Sequence, residues 1–157
     1  RKNIPNAHLI LVTDGPIPTD AALHGVEVIP PTWDRPAIFS LFERADCFVL
    51  PSRLETWGDV LLEAMSFGLP CIGVTGEAMG DIIENHKTGE IIPPEDVGAL
   101  TNALTRLLSN GDLREQYGVA ARQRIQNNFT WDHVVSRISP LIQNSIQSSV
   151  NSKWRSA

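Results

Sequence analysis

Two glutamates, Glu55 and Glu63, stand in the middle of the chain with seven residues between them. Glu55 is predicted to lie in a loop after a strand, and Glu63 one turn into the helix that follows. Helical side chains lean toward the helix N-terminus, so Glu63 can reach the same mouth as Glu55. The free amides of the first helical turn, roughly Gly58 to Leu61, open at that mouth. Two hydroxyl-binding carboxylates that flank anion-binding amides suit a ligand with two phosphates between two polyols.

The same two glutamates also have a purely structural interpretation, because the helix dipole favours a carboxylate near a helix N-terminus. A capping box would place Ser, Thr or Asp three residues before Glu63, but Val60 stands there. For Glu55 alone the structural and functional interpretations are balanced. The two glutamates together favour a binding site.

The elements that must position these glutamates are a buried strand, a short helix and a second buried strand. Residues 47–50 are an apolar run typical of a buried parallel strand, which Pro51 ends. The helix opens at residues 57–59. Gly68 fits the left-handed position just past its end, and Pro70 prevents it from resuming. Residues 71–74 form the next strand. The helix carries its apolar residues at helical spacing, namely Val60, Leu61, Ala64, Met65 and Phe67.

This stretch, from Pro51 to Gly73, resembles the Glu-x7-Glu motif of retaining GT-B glycosyltransferases. That large group includes bacterial capsular and exopolysaccharide transferases. Its usual form is Pro-Ser-x-x-Glu-Gly-Phe-Gly/Pro-x-Val-x-Leu-Glu-Ala-Met-Ala-x-Gly-x-Pro-Val-Ile. The matching positions in this chain are Pro51, Ser52, Glu55, Gly58, Val60, Leu62, Glu63, Ala64, Met65, Gly68, Pro70 and Ile72.

The resemblance implies roles for the residues that would touch the sugar and the ribose. Glu55 would be the residue of the catalytic site that binds hydroxyl groups of the transferred sugar. Glu63 would bind the ribose of the nucleotide. Thr56, Trp57 and Gly58 would line the sugar beside Glu55.

The resemblance also implies where the diphosphate and the base lie. Backbone amides of Gly58, Asp59 and Val60 would hold the diphosphate. The loop with Thr32 and Trp33 would receive the base, although Trp33 could equally well cover the edge of the domain. The implied substrate is a nucleotide sugar, UDP-linked, and neither a cofactor nor a metal ion is implied.

Strands that alternate with helices along the chain predict an α/β domain with a parallel sheet, helices on both faces and a ligand at the carboxyl ends of the strands. The first helix is expected at residues 18–24, and Asp112 and Thr130 are expected to cap the last two helices. Residues 1–142 are expected to form the nucleotide-sugar-binding domain, and residues 143–157 a polar tail that frays. The predicted strands cover residues 8–13, 25–29, 47–50, 71–74 and 90–92.

The resemblance runs from about His8 to Trp131 and implies the C-terminal, donor-binding half of a GT-B fold. In the family this half opens with a strand that precedes an Arg and a Lys for the diphosphate, and nothing before His8 matches it. We therefore expect a Rossmann-like sheet that lacks its first strand, with a gap beside the strand that begins near His8. The expected partner is the N-terminal acceptor-binding domain of the same protein. The family's double glycine near the donor is replaced here by Glu77 and Ala78.

Composition limits the other possibilities. A net charge of −5 over 157 residues gives no electrostatic case for nucleic acid. Cys47 and Cys71 fall in predicted strands and are expected to be core residues, and the four histidines lack the spacing of metal ligands. No signal peptide or membrane span is evident. We expect a cytoplasmic protein that contacts the inner face of the membrane through a lipid-linked acceptor of polysaccharide synthesis.

Two other functions fit parts of the sequence. A non-catalytic scaffold or regulatory module of the same fold would explain Thr56, Asp59 and the lost double glycine as features of a drifted site. A Rossmann-like dehydrogenase is disfavoured, because no Gly-x-Gly-x-x-Gly follows the first strand.

Overall fold

The computed structural model describes residues 3–76 and 78–153 of this α/β chain. The described residues contain five strands, and a helix follows each of them except the first; all strand pairs are parallel. The α/β prediction is therefore confirmed. The strands are β1 (Leu9–Val12), β2 (Val26–Ile29), β3 (Phe48–Val49), β4 (Cys71–Val74) and β5 (Gly89–Ile92).

Six helices in the described part of the chain connect or follow these strands. One helix, α1, precedes β3, and the other five follow it. The helices are α1 (Arg35–Arg44), α2 (Asp59–Ser66), α3 (Met79–Ile82), α4 (Val97–Ser109), α5 (Gly111–Asn128) and α6 (Trp131–Lys153).

The strands form two sheets rather than one, a pair with the order β1-β2 and a triple with the order β3-β4-β5. Within the described residues β1 and β3 share no hydrogen bonds. The break between the sheets lies beside β1, where the sequence predicts a missing strand.

The hydrophobic core is built around the second sheet. All four residues of β4 are buried, as its continuous apolar sequence predicts. On α2 the residues Leu61, Ala64 and Met65 are fully buried, at the spacing of one helix face. Helix α5 packs against α2 so closely that a Cβ at Gly118 would lie 2.1 Å from the carbonyl oxygen of Gly68. A glycine is therefore required at this crossing.

The two ends of α2 are both set by glycines in the left-handed region. Gly58 is the N-cap, with φ of 84°, and Gly68 follows the helix with φ of 78°. The prediction for Gly68 is confirmed. Its amide donates to the carbonyl of Met65 at 2.9 Å, which satisfies a carbonyl group at the helix end.

Two local predictions are wrong. Residues 18–24 form turns instead of a helix, because Pro16 and Pro18 interrupt the backbone and the segment buries no apolar face. The N-cap of α5 is Asn110 and not Asp112. The Asn110 side chain accepts a hydrogen bond from the Leu113 amide at 3.0 Å, and Asp112 lies within the first turn.

The last helix differs from the prediction in length. Thr130 caps α6 as predicted, since its hydroxyl accepts from the His133 amide at 3.3 Å. The helix then continues through most of the stretch expected to fray, as far as Lys153. None of the helices that the structure describes is both long and apolar enough to cross a membrane.

Both cysteines are free, as predicted. Burial raises the pKa of the Cys47 thiol to about 11, and the negative charge of Asp46 adds to this shift. Complete burial raises the pKa of Cys71 further still. The two residues therefore act as small apolar side chains of the core.

Candidate functional site

The loop between β3 and α2 folds around the carboxylate of Glu55. Its Oε1 atom accepts a hydrogen bond from the Gly58 amide at 3.0 Å and a long one from the Trp57 amide at 3.5 Å. Gly58 can present its amide in this way because its left-handed backbone turns the chain into the helix. Glu55 is thereby fixed at the N-terminus of α2.

The next two amides along the chain remain available. Within the described part of the chain, the N–H groups of Asp59 and Val60 make no hydrogen bond. The Leu61 amide, in contrast, donates to the Gly58 carbonyl at 2.9 Å. The structure therefore leaves two free donors at the positive end of the helix dipole, a favourable place for an anion. The Gly58 amide, which was predicted to bind the diphosphate, is occupied by Glu55.

The second glutamate lies at the end of the first turn of α2, and its side chain is partly exposed. Its Oε1 atom lies 3.7 Å from Nη2 of Arg35, the first residue of α1. Arg35 also lies over the ring of Phe39, with 5.0 Å between Cζ and the ring centroid. This ion pair joins the helix that carries Glu63 to the helix that follows Trp33.

The predicted base-binding loop lies between β2 and α1. The Thr32 hydroxyl accepts a hydrogen bond from the Asp34 amide at 3.1 Å, which fixes the turn into α1. Trp33 is 99% exposed. A tryptophan that covered the domain edge would be buried on one face, so Trp33 does not cover the edge of the described chain.

A third loop borders the site after β4. Gly76 has a φ of 96°, and a Cβ there would meet nothing within 4 Å, so the backbone is open on that side. Ala78 is the N-cap of α3, while Glu77 lies outside the described residues. Arg124 of α5 fixes the far end of α3 by donating to the carbonyls of Asp81 and Ile82 at 2.7 and 2.6 Å.

A cavity of about 390 Å³ opens at the carboxyl ends of all three strands of the second sheet. Pro51, Val74 and Ile92, which follow or end those strands, form its floor. Arg53 and Glu95 line it as well and form an ion pair at 2.8 Å. Parallel α/β sheets bind their ligands at this edge.

The structure brings the two predicted glutamates together around the N-terminus of α2, whereas Thr32 and Trp33 lie in the separate loop before α1. Glu55 and the free amides are directly connected through the β3–α2 loop, and Glu63 lies one turn along the same helix. Thr56 and Trp57 are exposed in the loop itself. Among the described residues, no group of three His, Cys, Asp or Glu side chains is placed to hold a metal ion.

Arg35 is the residue of this region that sequence reasoning missed. Its only signal in the sequence is its place two residues after Trp33 and just before Pro36, a residue type favoured in the first turn of a helix. Nothing in the linear pattern indicates that it meets Glu63. The contact depends on how α1 packs against α2.

Most of the chain is similar to known proteins. The family model described as glycosyl transferases group 1 matches residues 21–124. A glycogen synthase of Mycobacterium tuberculosis is 34% identical over 103 residues, which are 66% of this chain and 25% of that protein. The chain thus spans about a quarter of the length of this curated relative.

Solved structures of the same kind superpose on most of the chain. Sucrose-phosphate synthase of Thermosynechococcus elongatus matches with a TM-score of 0.71 and 27% identity, over 79% of this chain and 31% of that one. The Anabaena protein Alr3699/HepE, solved in complex with UDP, matches with a TM-score of 0.69. At 18% identity, over 76% of this chain and 32% of that one, the second likeness concerns the fold alone.

Proposed function

This chain belongs to the glycosyl transferases group 1 family, and we propose that it forms the donor-binding half of a retaining, nucleotide-sugar-dependent glycosyltransferase. The observation that carries the proposal is the arrangement at the N-terminus of α2. Two amides that make no hydrogen bond among the described residues lie between a glutamate in the preceding loop and a glutamate one turn into the helix. This arrangement can hold a diphosphate between a sugar and a ribose.

Each part of the donor is assigned by its chemistry. The amides of Asp59 and Val60 hold the diphosphate, and Glu63 accepts hydrogen bonds from the ribose hydroxyls. Trp33 and Thr32 lie where the base is received. Glu55 accepts hydrogen bonds from the sugar hydroxyls. When Glu55 turns to the sugar, the Gly58 amide becomes a third donor for the diphosphate.

The proposed reaction is sugar transfer with retention, which the family resemblance implies. The bond between the anomeric carbon and the diphosphate oxygen breaks, and a bond to the oxygen of an acceptor hydroxyl forms on the same face of the sugar. The proton of that hydroxyl passes to the leaving diphosphate oxygen. The negative charge that develops on the leaving diphosphate is stabilised by the helix amides, which are already oriented before the reaction. Glu55 positions the sugar for this step. We expect transfer to need no metal ion, so that addition of EDTA leaves the rate unchanged.

The proposed nucleotide is UDP and the proposed acceptor is a glycan. A relative that is named as a glycogen synthase supports the glycan. The acceptor lies on a glycan or on a lipid-linked precursor of polysaccharide synthesis, and it is bound by the N-terminal domain of the same protein. With a lipid-linked acceptor, the protein works in the cytoplasm at the inner face of the membrane.

Calorimetric titration of the whole protein with UDP, GDP and ADP tests the proposal. We expect Glu63→Ala to weaken binding of the preferred nucleotide by about 1.5–3 kcal/mol, the usual contribution of hydrogen bonds to a charged group. Glu55→Ala should leave this affinity nearly constant and lower the rate of sugar transfer. Glu115→Ala, which removes an exposed carboxylate from α5, is the matched control and should change neither quantity.

The outcomes separate the proposal from its rival. A wild-type protein that binds none of the three nucleotides would be the non-catalytic module that the sequence also allows. If Glu55→Ala and Glu63→Ala weakened binding of the bare nucleotide equally, the assignment of sugar and ribose to the two glutamates would be wrong.

A further inference from the structure

The contact between Arg35 and Glu63 crosses from one helix of the site to another. Arg35 Nη2 lies 3.7 Å from Glu63 Oε1. An isolated ion pair on a protein surface contributes little, so the contact carries meaning only through its location. Here it lies between the residue proposed to bind ribose and the loop that presents Trp33, which is 99% exposed.

The guanidinium group is held in place by its own helix. Arg35 is the first residue of α1, and its Cζ lies 5.0 Å from the centroid of the Phe39 ring. That ring packs in turn against Phe67, just past the end of α2, with 5.3 Å between centroids. The Arg35 side chain that reaches Glu63 therefore packs against Phe39, whose contact with Phe67 joins α1 to the end of α2.

The ion pair leaves acceptor capacity on the Glu63 carboxylate. The nearest approach of Arg35 is to Oε1, and no described residue donates a hydrogen bond to either carboxylate oxygen. A carboxylate has about four acceptor sites, so Oε2 can receive a hydroxyl while Oε1 keeps its partner. A side chain that is held in its binding orientation loses less entropy when the ligand arrives.

We propose that Arg35 is a positioning residue that orients Glu63 and thereby sets selectivity for the ribose 2′-hydroxyl group of the donor nucleotide. This inference rests on the proposed function, because it assumes that Glu63 meets a ribose. Arg35 acts through Glu63 and does not itself have to touch the nucleotide.

The test compares two ligands that differ in one hydroxyl group. The whole protein is titrated with the ribonucleoside diphosphate that it prefers and with the 2′-deoxy form of the same nucleotide, and the ratio of the two affinities is the readout. Because both side chains are substantially exposed, we expect Arg35→Gln to lower this ratio by about three- to fivefold, the upper range for exposed ion pairs. Arg35→Lys keeps the charge but loses the planar group, so its affinity ratio should lie between those of the wild type and Arg35→Gln.

Two further variants make the test specific. Arg44→Gln removes an exposed arginine from the last turn of the same helix, where it pairs with Glu27, and should leave the ratio at its wild-type value. In a Glu63→Ala background, Arg35→Gln should have no further effect on the ratio. A role in stability alone would lower the affinities for both nucleotides in parallel, and their ratio would stay constant.

The possible results are distinct. A wild-type protein that binds no nucleoside diphosphate overturns the proposed function together with this inference. If the wild-type protein binds the nucleoside diphosphate more tightly than its 2′-deoxy form while Arg35→Gln shows the same affinity ratio, that result overturns the role of Arg35 only. An effect of Arg35→Gln that persists in full without Glu63 also overturns it.

Discussion

Replacing Gly58 with alanine would place a side chain on a residue whose φ is 84°. An L-residue in the left-handed region is less stable by about 1–2 kcal/mol, and this sets the expected loss in free energy of unfolding. Sterics add little. The new Cβ would lie 3.2 Å from a methyl group of Leu61 and 3.4 Å from one of Ile82, and both can shift by a few tenths of an ångström.

The strain can also be relieved by rotation of the peptide group that follows Gly58. That group carries the Asp59 amide, the first of the two free donors at the helix N-terminus. If the amides bind the diphosphate, Gly58→Ala should weaken binding of UDP by about 1–3 kcal/mol, the loss of one or two hydrogen bonds to a charged group. Binding of uridine, which has no phosphate, should change less.

Gly68 supplies a matched control at the other end of α2. Its φ is 78°, and a Cβ there would meet the end of the flexible Arg122 side chain at 3.2 Å. Gly68→Ala should therefore lower the free energy of unfolding by the same amount, about 1–2 kcal/mol, while leaving the N-terminus of α2 intact. Thermal unfolding and calorimetric titration of both variants separate the two effects. Equal affinity for UDP in Gly58→Ala and Gly68→Ala would refute the role of the helix amides.

Two further outcomes are expected. Asp59 is exposed, and its side chain makes no hydrogen bond within the described residues. Asp59→Asn should therefore leave the affinity for UDP equal or slightly improved, because it removes a negative charge near the diphosphate. Calorimetry checks this, and a large loss of affinity would mean that the carboxylate contacts the ligand. Gly118→Ala should destabilise the protein by about 1–3 kcal/mol or more in urea unfolding, because its Cβ would meet the backbone of Gly68. Gly80→Ala, in open space on α3, should instead stabilise the protein by about 0.5–1 kcal/mol. Equal unfolding midpoints for the two variants would contradict the packing of α5 on α2.

The part of the fold that the sequence predicts well is the part with strong local signals. The four residues of β4 form a continuous apolar run, and α2 combines helical spacing with a glycine and a proline at its end. Local energetics and tertiary packing agree in these elements. The 18–24 segment lacks such agreement, since it contains polar and apolar residues without a buried face.

The residues of the candidate site also differ in how local their signals are in the sequence. Glu55 and Glu63 are visible in the sequence because a loop and a helix next to each other in the chain carry both of them. The hydrogen bond from Gly58 to Glu55 also spans only three positions. The Arg35 contact could not be predicted, because it requires the relative placement of α1 and α2, which depends on the packing of Phe39 against Phe67, just past the end of α2.

The hydrogen-bond register of the two sheets shows why that placement matters. The amides of Leu9 and Thr13 point toward β2, so the alternate residues of β1 face the break between the sheets. Phe48 and Leu50 likewise point toward β4. The loop with Thr32 and Trp33 follows the first sheet and the two glutamates follow the second, yet within the described residues no backbone ladder joins the sheets. Side-chain contacts of α1 with β3 and α2 therefore link the two parts of the proposed donor site, and the ion pair of Arg35 with Glu63 is one of these contacts.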